Sequence, residues 1–176
     1  EGTPTKERIR GGRAPWKGGI MKTATLNLGI DVGSTTTKAV VTRAGSGEIL
    51  WQKCERHETR QLEKVLEFLK QIEAAFPDVP HSQIAVSATG SGGRALQELI
   101  GANFVQEVSA VSAAVEKRHP EAGTVIELGG QDAKIIVIAI DETTGRRRKS
   151  PSMNDKCAGG TGAVIDKVCA KLGIPA

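Results

Sequence analysis

The stretch LGIDVGSTTTK, residues 28–38, decides the fold that we expect for this chain. A short apolar run ends at Asp31, a glycine turn follows, and a second apolar run begins after Lys38. This pattern predicts a phosphate-binding β-hairpin, because glycine lets backbone N–H groups approach phosphate oxygens and hydroxyl groups add further donors. Asp31 could hold a magnesium ion through water. The candidate phosphate ligands are Gly33, Ser34, Thr35, Thr36 and Lys38.

The same residues leave a simpler interpretation open. The segment is neither a Walker A loop nor a G-x-G-x-x-G dinucleotide loop, and Gly33 with Ser34 could form only a tight turn. A second copy of the pattern favours the phosphate site. The stretch VIELGGQDAK, residues 125–134, again places an acidic residue, Glu127, at the end of an apolar strand and two glycines after it.

The two copies predict a cleft between two similar halves of an actin-like ATPase. In such proteins, two ribonuclease H-like domains face each other across a nucleotide, and internal repetition is the sequence sign of repeated units. Asp31 and Glu127 would then face one metal-phosphate group from opposite sides. The further candidates are Gln131 and Asp132, which would position the attacking water, and Gly129 and Gly130, which would approach the phosphates.

Periodicity along the chain predicts an α/β fold that opens with the order β-β-β-α-β-α. A helix that stops before Pro77 is predicted by the apolar stripe Leu62, Val65, Leu66, Leu69, Ile72 and Phe76. We expect a complete ribonuclease H-like domain over residues 21–120 and the start of a second over residues 121–176. Because that second unit lacks the strands that would complete its sheet, the chain is expected to be a fragment.

Composition excludes several classes of function. The 176 residues carry a net charge of +4, and residues 1–24 hold this excess, with six basic and two acidic side chains. The balanced remainder shows no electrostatic footprint for nucleic acid. No apolar run approaches the roughly 18 residues of a membrane helix, and residues 1–20 lack the apolar core of a signal peptide. We expect a cytoplasmic protein with no nucleic-acid or membrane partner, and a disordered or non-native basic extension over residues 1–20.

The three cysteines form no C-x-x-C pair, which argues against a disulfide framework or a zinc site. Cys157 stands before a glycine-rich helix start, where the helix N-terminus favours a thiolate that could bind a metal or cluster. A small buried residue is the alternative interpretation. Of the remaining cysteines, Cys169 is expected in the core and Cys54 at a structural position in the third strand. Surface or loop positions are expected for His57, His81 and His119. The basic run 146–149 is expected to form a solvated hairpin tip, with a docking contact to an acidic partner as the alternative.

Four segments in this order resemble the activator family of 2-hydroxyacyl-CoA dehydratases and the related benzoyl-CoA reductase ATPase subunits. They are LGIDVGSTTTK, ATGSGGR at residues 88–94, GGQDAK at residues 129–134 and NDKCAGGTG at residues 154–162. The resemblance implies an actin-like fold that binds ATP/ADP and Mg²⁺. It also implies that Cys157 is a ligand of a [4Fe-4S] cluster shared between two subunits of a homodimer.

The resemblance further implies a partner protein and an electron donor. The partner would be a 2-hydroxyacyl-CoA dehydratase or a related reductase, and the donor a protein such as ferredoxin or flavodoxin. In that family each subunit contributes two cysteines, and the second lies beyond the position of Ala176. This chain alone is therefore not expected to assemble the four-thiolate cluster.

Two other functions fit the same hairpins. A redox-free sugar kinase resembling the N-acetylglucosamine kinases would use the phosphate site and would not need Cys157. A nucleotide-dependent interaction module, similar to actin or a chaperone, would bind partners without phosphotransfer or reductive activation. Iron and sulfide analysis separates the kinase from the activator, and nucleotide-sensitive partner binding without either activity would favour the interaction module.

Overall fold

The computed structural model describes residues 24–130, 132–153 and 161–175. The strands are β1 Leu26–Val32, β2 Thr36–Arg43, β3 Ile49–Arg56, β4 Ile84–Thr89, β5 Asn103–Phe104, β6 Thr124–Leu128, β7 Ala133–Ile140 and β8 Arg147–Met153. The helices are α1 Gln61–Ala75, α2 Gly93–Ile100, α3 Glu107–Arg118 and α4 Gly162–Leu172, with a 3-10 turn at His81–Gln83. In these described residues, none of the helices combines the length and the apolar run that a membrane span requires.

Five strands form a mixed sheet in the order β3-β2-β1-β4-β5. Strands β1, β2 and β3 pair antiparallel, whereas β4 runs parallel to β1 and β5 parallel to β4. Alternate residues of β1 are buried, because successive side chains of a strand point to opposite faces of the sheet. The core lies between this face and helices α1 and α2, and it includes Leu26, Leu28, Ile30, Val32, Phe68, Ile72 and Leu96.

Helix α1 ends before Pro77 as predicted, but its buried face is rotated from the predicted stripe. Leu62 and Leu66, which the stripe included, are 50% and 52% exposed. Phe68 takes their place in the core because its ring packs edge-to-face against Trp51 of β3, with centroids 5.9 Å apart. The buried residues of the helix are Val65, Phe68, Leu69 and Ile72.

Strands β6, β7 and β8 form a separate antiparallel sheet. Strand β8 includes Arg147 to Lys149, which pair with β7. The expectation that this basic run forms the hairpin tip is therefore wrong. The turn lies before it, where Asp141 Oδ1 accepts hydrogen bonds from the N–H groups of Thr143 at 3.0 Å and Thr144 at 2.8 Å. Because these bonds close the turn early, the basic residues extend the strand.

Helix α3 follows the first sheet in sequence and is joined to the second sheet by ion pairs. Lys134 of β7 binds Glu107 at 2.9 Å, and Lys149 of β8 binds Glu116 at 2.8 Å. The two ion pairs therefore attach α3 to the second sheet. The domain boundary near residue 120 stays a prediction.

Two of the three cysteines lie in the described residues. Cys54 on β3 is exposed, and Cys169 on α4 is half-buried, and both are free thiols. Cys169 is therefore less enclosed than the expected core position, since its helix keeps apolar side chains such as Val168 and Leu172 at the surface. Cys157 lies outside the described residues.

Candidate functional site

The first glycine hairpin joins β1 to β2. The Gly33 N–H donates to the carbonyl oxygen of Thr36 at 3.0 Å and closes the turn. Asp31 and Lys38 are paired across the hairpin, and Lys38 Nζ donates to Asp31 Oδ2 at 2.9 Å. The pKa of Lys38 lies above its ordinary value. Burial, the largest single influence, lowers this pKa, but the hydrogen bond and charge of Asp31 and the charges of Cys54 and Glu127 together outweigh burial. Lys38 is therefore a stable positive charge beside Asp31.

The loop after β4 packs against this hairpin. Gly90 has a φ of 85°, in the left-handed region that favours glycine. A β-carbon at this position would lie 2.4 Å from the carbonyl oxygen of Val32 and 2.6 Å from Asp31 Oδ1. The N–H of Gly92 donates to the same Val32 carbonyl at 2.9 Å. The glycines of ATGSGGR thus allow a second loop to approach Asp31, a role that sequence analysis had not assigned.

His57 supports the hairpin from the loop that follows β3, one of the two positions expected for it, although the side chain is buried there. The residue is 5% exposed, and its Nε2 lies 3.1 Å from the carbonyl oxygen of Gly33. Because a carbonyl oxygen only accepts, Nε2 carries the proton. The backbone N–H of His57 donates to the carbonyl of Thr35 at 3.3 Å, and Gln61 Nε2 donates to the Gly33 carbonyl at 3.2 Å. Strand β3 runs beside β2, which brings the end of β3 back to the hairpin.

The second hairpin joins β6 to β7 and is closed by the same kind of hydrogen bond. The Gly129 N–H donates to the carbonyl oxygen of Asp132 at 2.8 Å. Glu127 lies opposite Lys134 in the register of the two strands. The carbonyl of Gly129 accepts a hydrogen bond from the Gly162 N–H at 2.9 Å, so the first residue of α4 is attached to the hairpin.

The two hairpins touch each other. A β-carbon added to Gly130 would lie 2.4 Å from Thr35 Oγ1 and 2.8 Å from Thr35 Cγ2. The lack of a side chain at residue 130 is what permits this contact. Arg56 of β3 and Asp166 of α4 form an ion pair between the same two parts of the chain. The hairpins that the sequence placed on either side of one cleft are therefore neighbours.

Two carboxylate oxygens of these hairpins are buried without a hydrogen-bond partner in the described part of the chain. They are Asp31 Oδ1 and Glu127 Oε2. Leaving such an oxygen unpaired is unfavourable, and a hydrated Mg²⁺ ion is a partner that would satisfy it. The pKa of Glu127 lies above its ordinary value, and burial is the largest cause. The charge of Lys134 lowers this pKa, whereas the charge of Glu107, a hydrogen bond with Glu107 and the charge of Asp31 raise it further. These oxygens, beside two glycine turns, fit a magnesium-phosphate group.

Lys134 and Glu107 belong to this site although neither was a candidate. Lys134 is 4% exposed, and its Nζ lies 2.9 Å from Glu107 Oε1 and 3.7 Å from Glu127 Oε2. Burial lowers the pKa of Lys134, but the hydrogen bond to Glu107 and the nearby carboxylates outweigh burial and raise this pKa. A signal for Lys134 existed, because a lysine inside an apolar strand needs a partner. Glu107, 27 residues away, gave no such signal.

The structure shows little of the site candidates Gln131, Asp132 and Cys157. Gln131 and Cys157 lie outside the described residues, and the exposed Asp132 contributes its backbone carbonyl. Across residues 24–130, 132–153 and 161–175, no group of three or more His, Cys, Asp and Glu side chains is arranged to hold a metal ion. Magnesium in this region would therefore depend on phosphate and water ligands, as is usual for this ion. The chemical roles of the candidates stay predictions.

Residues 28–175 match the BadF/BadG/BcrA/BcrD ATPase family. The chain belongs to this family. One relative, the (R)-2-hydroxyglutaryl-CoA dehydratase activating ATPase of Acidaminococcus fermentans, is 34% identical over 147 residues, a match that covers 79% of this chain and 50% of the relative. The chain spans about half the length of the curated relatives that it matches first.

Two solved structures show the fold that this family member adopts. Component A of the A. fermentans (R)-2-hydroxyglutaryl-CoA dehydratase has a TM-score of 0.65 at 30% identity, over 86% of this chain and 56% of that one. The Clostridium difficile activator of 2-hydroxyisocaproyl-CoA dehydratase, solved with bound ADPNP, has a TM-score of 0.65 at 27% identity, over 85% and 53%. More distant structures share the fold alone. The predicted actin-like ATPase fold is thereby confirmed.

Proposed function

We propose that this BadF/BadG/BcrA/BcrD family member hydrolyses ATP to activate a 2-hydroxyacyl-CoA dehydratase or a related CoA-ester reductase, by delivering a low-potential electron from a [4Fe-4S] cluster. The observation that carries the proposal is the contact between Gly130 and Thr35. It brings together two glycine hairpins, each of which follows a carboxylate with a buried oxygen that has no hydrogen-bond partner in the described residues. The names of the relatives, which are dehydratase activators, support the same function.

The first hairpin would bind the nucleotide phosphates from one side and the second from the other. Backbone N–H groups and hydroxyls would donate to phosphate oxygens, and Lys38 would balance their charge. Asp31, through water, and Glu127 would hold a magnesium ion, which when bound neutralises charge on the transferred phosphoryl group. Gln131 and Asp132 would orient the attacking water. The phosphate-binding set is Gly33, Ser34, Thr35, Thr36, Lys38, Gly129 and Gly130.

ATP and ADP are the proposed nucleotides. The C. difficile activator holds ADPNP, an ATP analogue, in a structure that shares the fold of this chain over 85% of its length. The redox-free sugar kinase remains the alternative, but the named relatives are dehydratase activators and do not favour it.

Cys157 is the proposed cluster ligand, and α4 would connect it to the nucleotide. The helix begins five residues after Cys157, and its first residue, Gly162, is hydrogen-bonded to Gly129 of the second hairpin. A displacement of this hairpin during ATP turnover would therefore move the start of α4. Because a four-thiolate cluster needs more cysteines than this one, we propose a cytoplasmic homodimer that shares the cluster and receives electrons from a ferredoxin or flavodoxin.

ATP hydrolysis by the full-length protein tests the first part of the proposal. We expect magnesium-dependent hydrolysis, and a fall of about 100-fold in Asp31→Asn, the order seen when a group that stabilises transition-state charge is lost. Glu142→Gln is the control, because it removes an exposed carboxylate from the β7–β8 turn. An Asp31→Asn variant as active as this control would remove Asp31 from the site.

Metal analysis tests the second part. Anaerobic purification of the full-length dimer should yield about four iron and four sulfide per dimer if one [4Fe-4S] cluster is shared. A protein that lacks iron and sulfide but phosphorylates an amino sugar would be the kinase instead. Reductive activation of a dehydratase by the iron-containing protein, dependent on ATP, would establish the partner class.

A further inference from the structure

The most deeply buried cation described in the chain is not used by the proposed mechanism. Lys134 is 4% exposed, whereas the Lys38 side chain is 53% exposed. A buried ammonium group is unfavourable unless it is paired and hydrogen-bonded. Lys134 meets this need with two carboxylates, Glu107 at 2.9 Å and Glu127 at 3.7 Å.

The two carboxylates come from different elements. Glu107 is the first residue of α3, and Glu127 is directly opposite Lys134 in the pairing of β6 with β7. Directly opposed side chains of an antiparallel pair are neighbours on one face of the sheet. The position of Lys134 beside Glu127 is thus set by strand register, while its bond to Glu107 ties α3 to the same point.

We propose that Lys134 is a positioning residue that holds the Glu127 carboxylate toward the two glycine hairpins. Glu127 is half-buried near two other carboxyl groups, Glu107 and Asp31; their charges oppose its ionisation, and a hydrogen bond with Glu107 also raises its pKa. A glutamate side chain has several rotatable bonds, so repulsion alone would turn it away. The nearby ammonium group opposes that repulsion, since it lies 3.7 Å from Oε2, a buried oxygen that has no hydrogen-bond partner in the described residues. The inference rests on the proposed ATPase function and deepens it.

The competing explanation is that Lys134 has only a structural role and attaches α3 to the second sheet. In that case only the ion pair between Lys134 and Glu107 matters, and the exchange of the two charges in Glu107→Lys/Lys134→Glu would restore the ion pair and the activity. For a residue that positions Glu127, the exchange fails, because it places a second carboxylate directly opposite Glu127. The double exchange therefore separates the two roles.

Steady-state ATP hydrolysis by the full-length protein is the first measurement. We expect Lys134→Met to lower kcat by about tenfold or more and to change the KM for ATP by less than about twofold, because a misplaced group impairs turnover more than binding. Lys134→Arg should retain most of kcat, and the charge exchange should be as slow as Lys134→Met. Lys149→Met is the matched control, since it removes an ion pair of 2.8 Å between α3 and the same sheet, and it should leave kcat unchanged.

A second measurement does not depend on activity. The side-chain carboxyl ¹³C resonance of Glu127, assigned by its loss in Glu127→Gln, should shift in Lys134→Met without nucleotide and stay in place in Lys149→Met. If Lys134→Met does not fold, Lys134→Gln supplies the same comparison, and the charge exchange supplies a third.

Three results would overturn the inference. They are an unshifted resonance, a kcat in Lys134→Met equal to that of Lys149→Met, or a charge exchange that restores kcat. A wild-type protein without ATP hydrolysis would refute the proposed function, and the resonance would still decide whether Lys134 holds Glu127.

Discussion

Gly130 of the second hairpin lies against Thr35 of the first so closely that a β-carbon at residue 130 would stand 2.4 Å from Thr35 Oγ1. Threonine is β-branched and has little freedom to turn its side chain away. We therefore expect Gly130→Ala to push the hairpins apart and to lower the free energy of unfolding by about 1–3 kcal/mol, as overpacking usually does. Nucleotide binding should weaken as well, and urea unfolding and nucleotide titration measure the two effects.

Two further variants show whether the contact is the cause. Gly123→Ala is the control, because a β-carbon there would meet only the carbonyl oxygen of Ile138 at 4.0 Å. Thr35→Ala, added to Gly130→Ala, removes the two clashing atoms and should recover part of the lost stability. Equal stability and nucleotide affinity in Gly130→Ala and Gly123→Ala would show that the hairpins do not depend on their contact.

The bond between His57 and Gly33 predicts a difference between two substitutions. His57→Leu removes the donor to the Gly33 carbonyl, which keeps its bond to Gln61, so the expected loss of stability is about 1 kcal/mol. Nucleotide affinity should fall too, because the hairpin backbone loses support. His57→Gln should retain most of both properties, since its amide nitrogen can donate from a position close to that of Nε2.

Chemical unfolding and ADP titration measure these effects. His119→Gln is the control, as the His119 side chain is 66% exposed. If Leu and Gln at residue 57 have equal effects, the imidazole acts through its packing and not through the hydrogen bond.

How far the sequence predicts this molecule depends on how local each feature is. Each glycine hairpin is encoded within a few neighbouring residues, as in Asp31 with Gly33 and Glu127 with Gly129. The spacing of these residues therefore predicted both turns. The opening order β-β-β-α-β-α followed from periodicity for the same reason, whereas the two-residue strand β5 is too short to give a periodic pattern. The buried face of α1 was harder to predict, because Phe68 packs against Trp51, a residue of a different element.

The contacts that support the two hairpins could not be predicted from the sequence, because they join residues far apart in the chain. His57 reaches Gly33 across 24 residues, and Lys134 reaches Glu107 across 27. Neither separation corresponds to a helix or strand period, so only the sheet order brings these groups together. The sequence could predict that a buried lysine has an acidic partner, but it could not predict which acidic residue this is.

The approach of Gly90 to Asp31 predicts a severe effect for Gly90→Ala. The new β-carbon would lie 2.4 Å from the backbone carbonyl oxygen of Val32, which cannot swing away as a side chain can. Overpacking of about 1–3 kcal/mol would add to about 1–2 kcal/mol for a left-handed alanine. Magnesium-dependent ATP hydrolysis should also fall, because the same β-carbon would press on Asp31.

Gly145→Ala is the matched control for this variant. Its φ of 66° is also left-handed, but a β-carbon there would meet nothing within 4 Å. The control should therefore show only the conformational part of the loss. If urea unfolding gives the same stability for both variants, the close approach to Asp31 and Val32 does not constrain the loop.

Cys157→Ala tests whether the thiolate before α4 holds the proposed cluster. In the full-length protein, purified anaerobically, we expect the brown cluster absorbance to disappear and nucleotide binding to persist, because the glycine hairpins proposed to bind phosphate lie on other elements. Cys54→Ala and Cys169→Ala are the controls, since these free thiols lie on β3 and on α4. Both controls should retain iron and sulfide. Because α4 is attached to the second hairpin through Gly162 and Gly129, ATP should also alter the cluster spectrum of the wild type. Absorbance and electron transfer retained in Cys157→Ala would assign the cluster to other ligands.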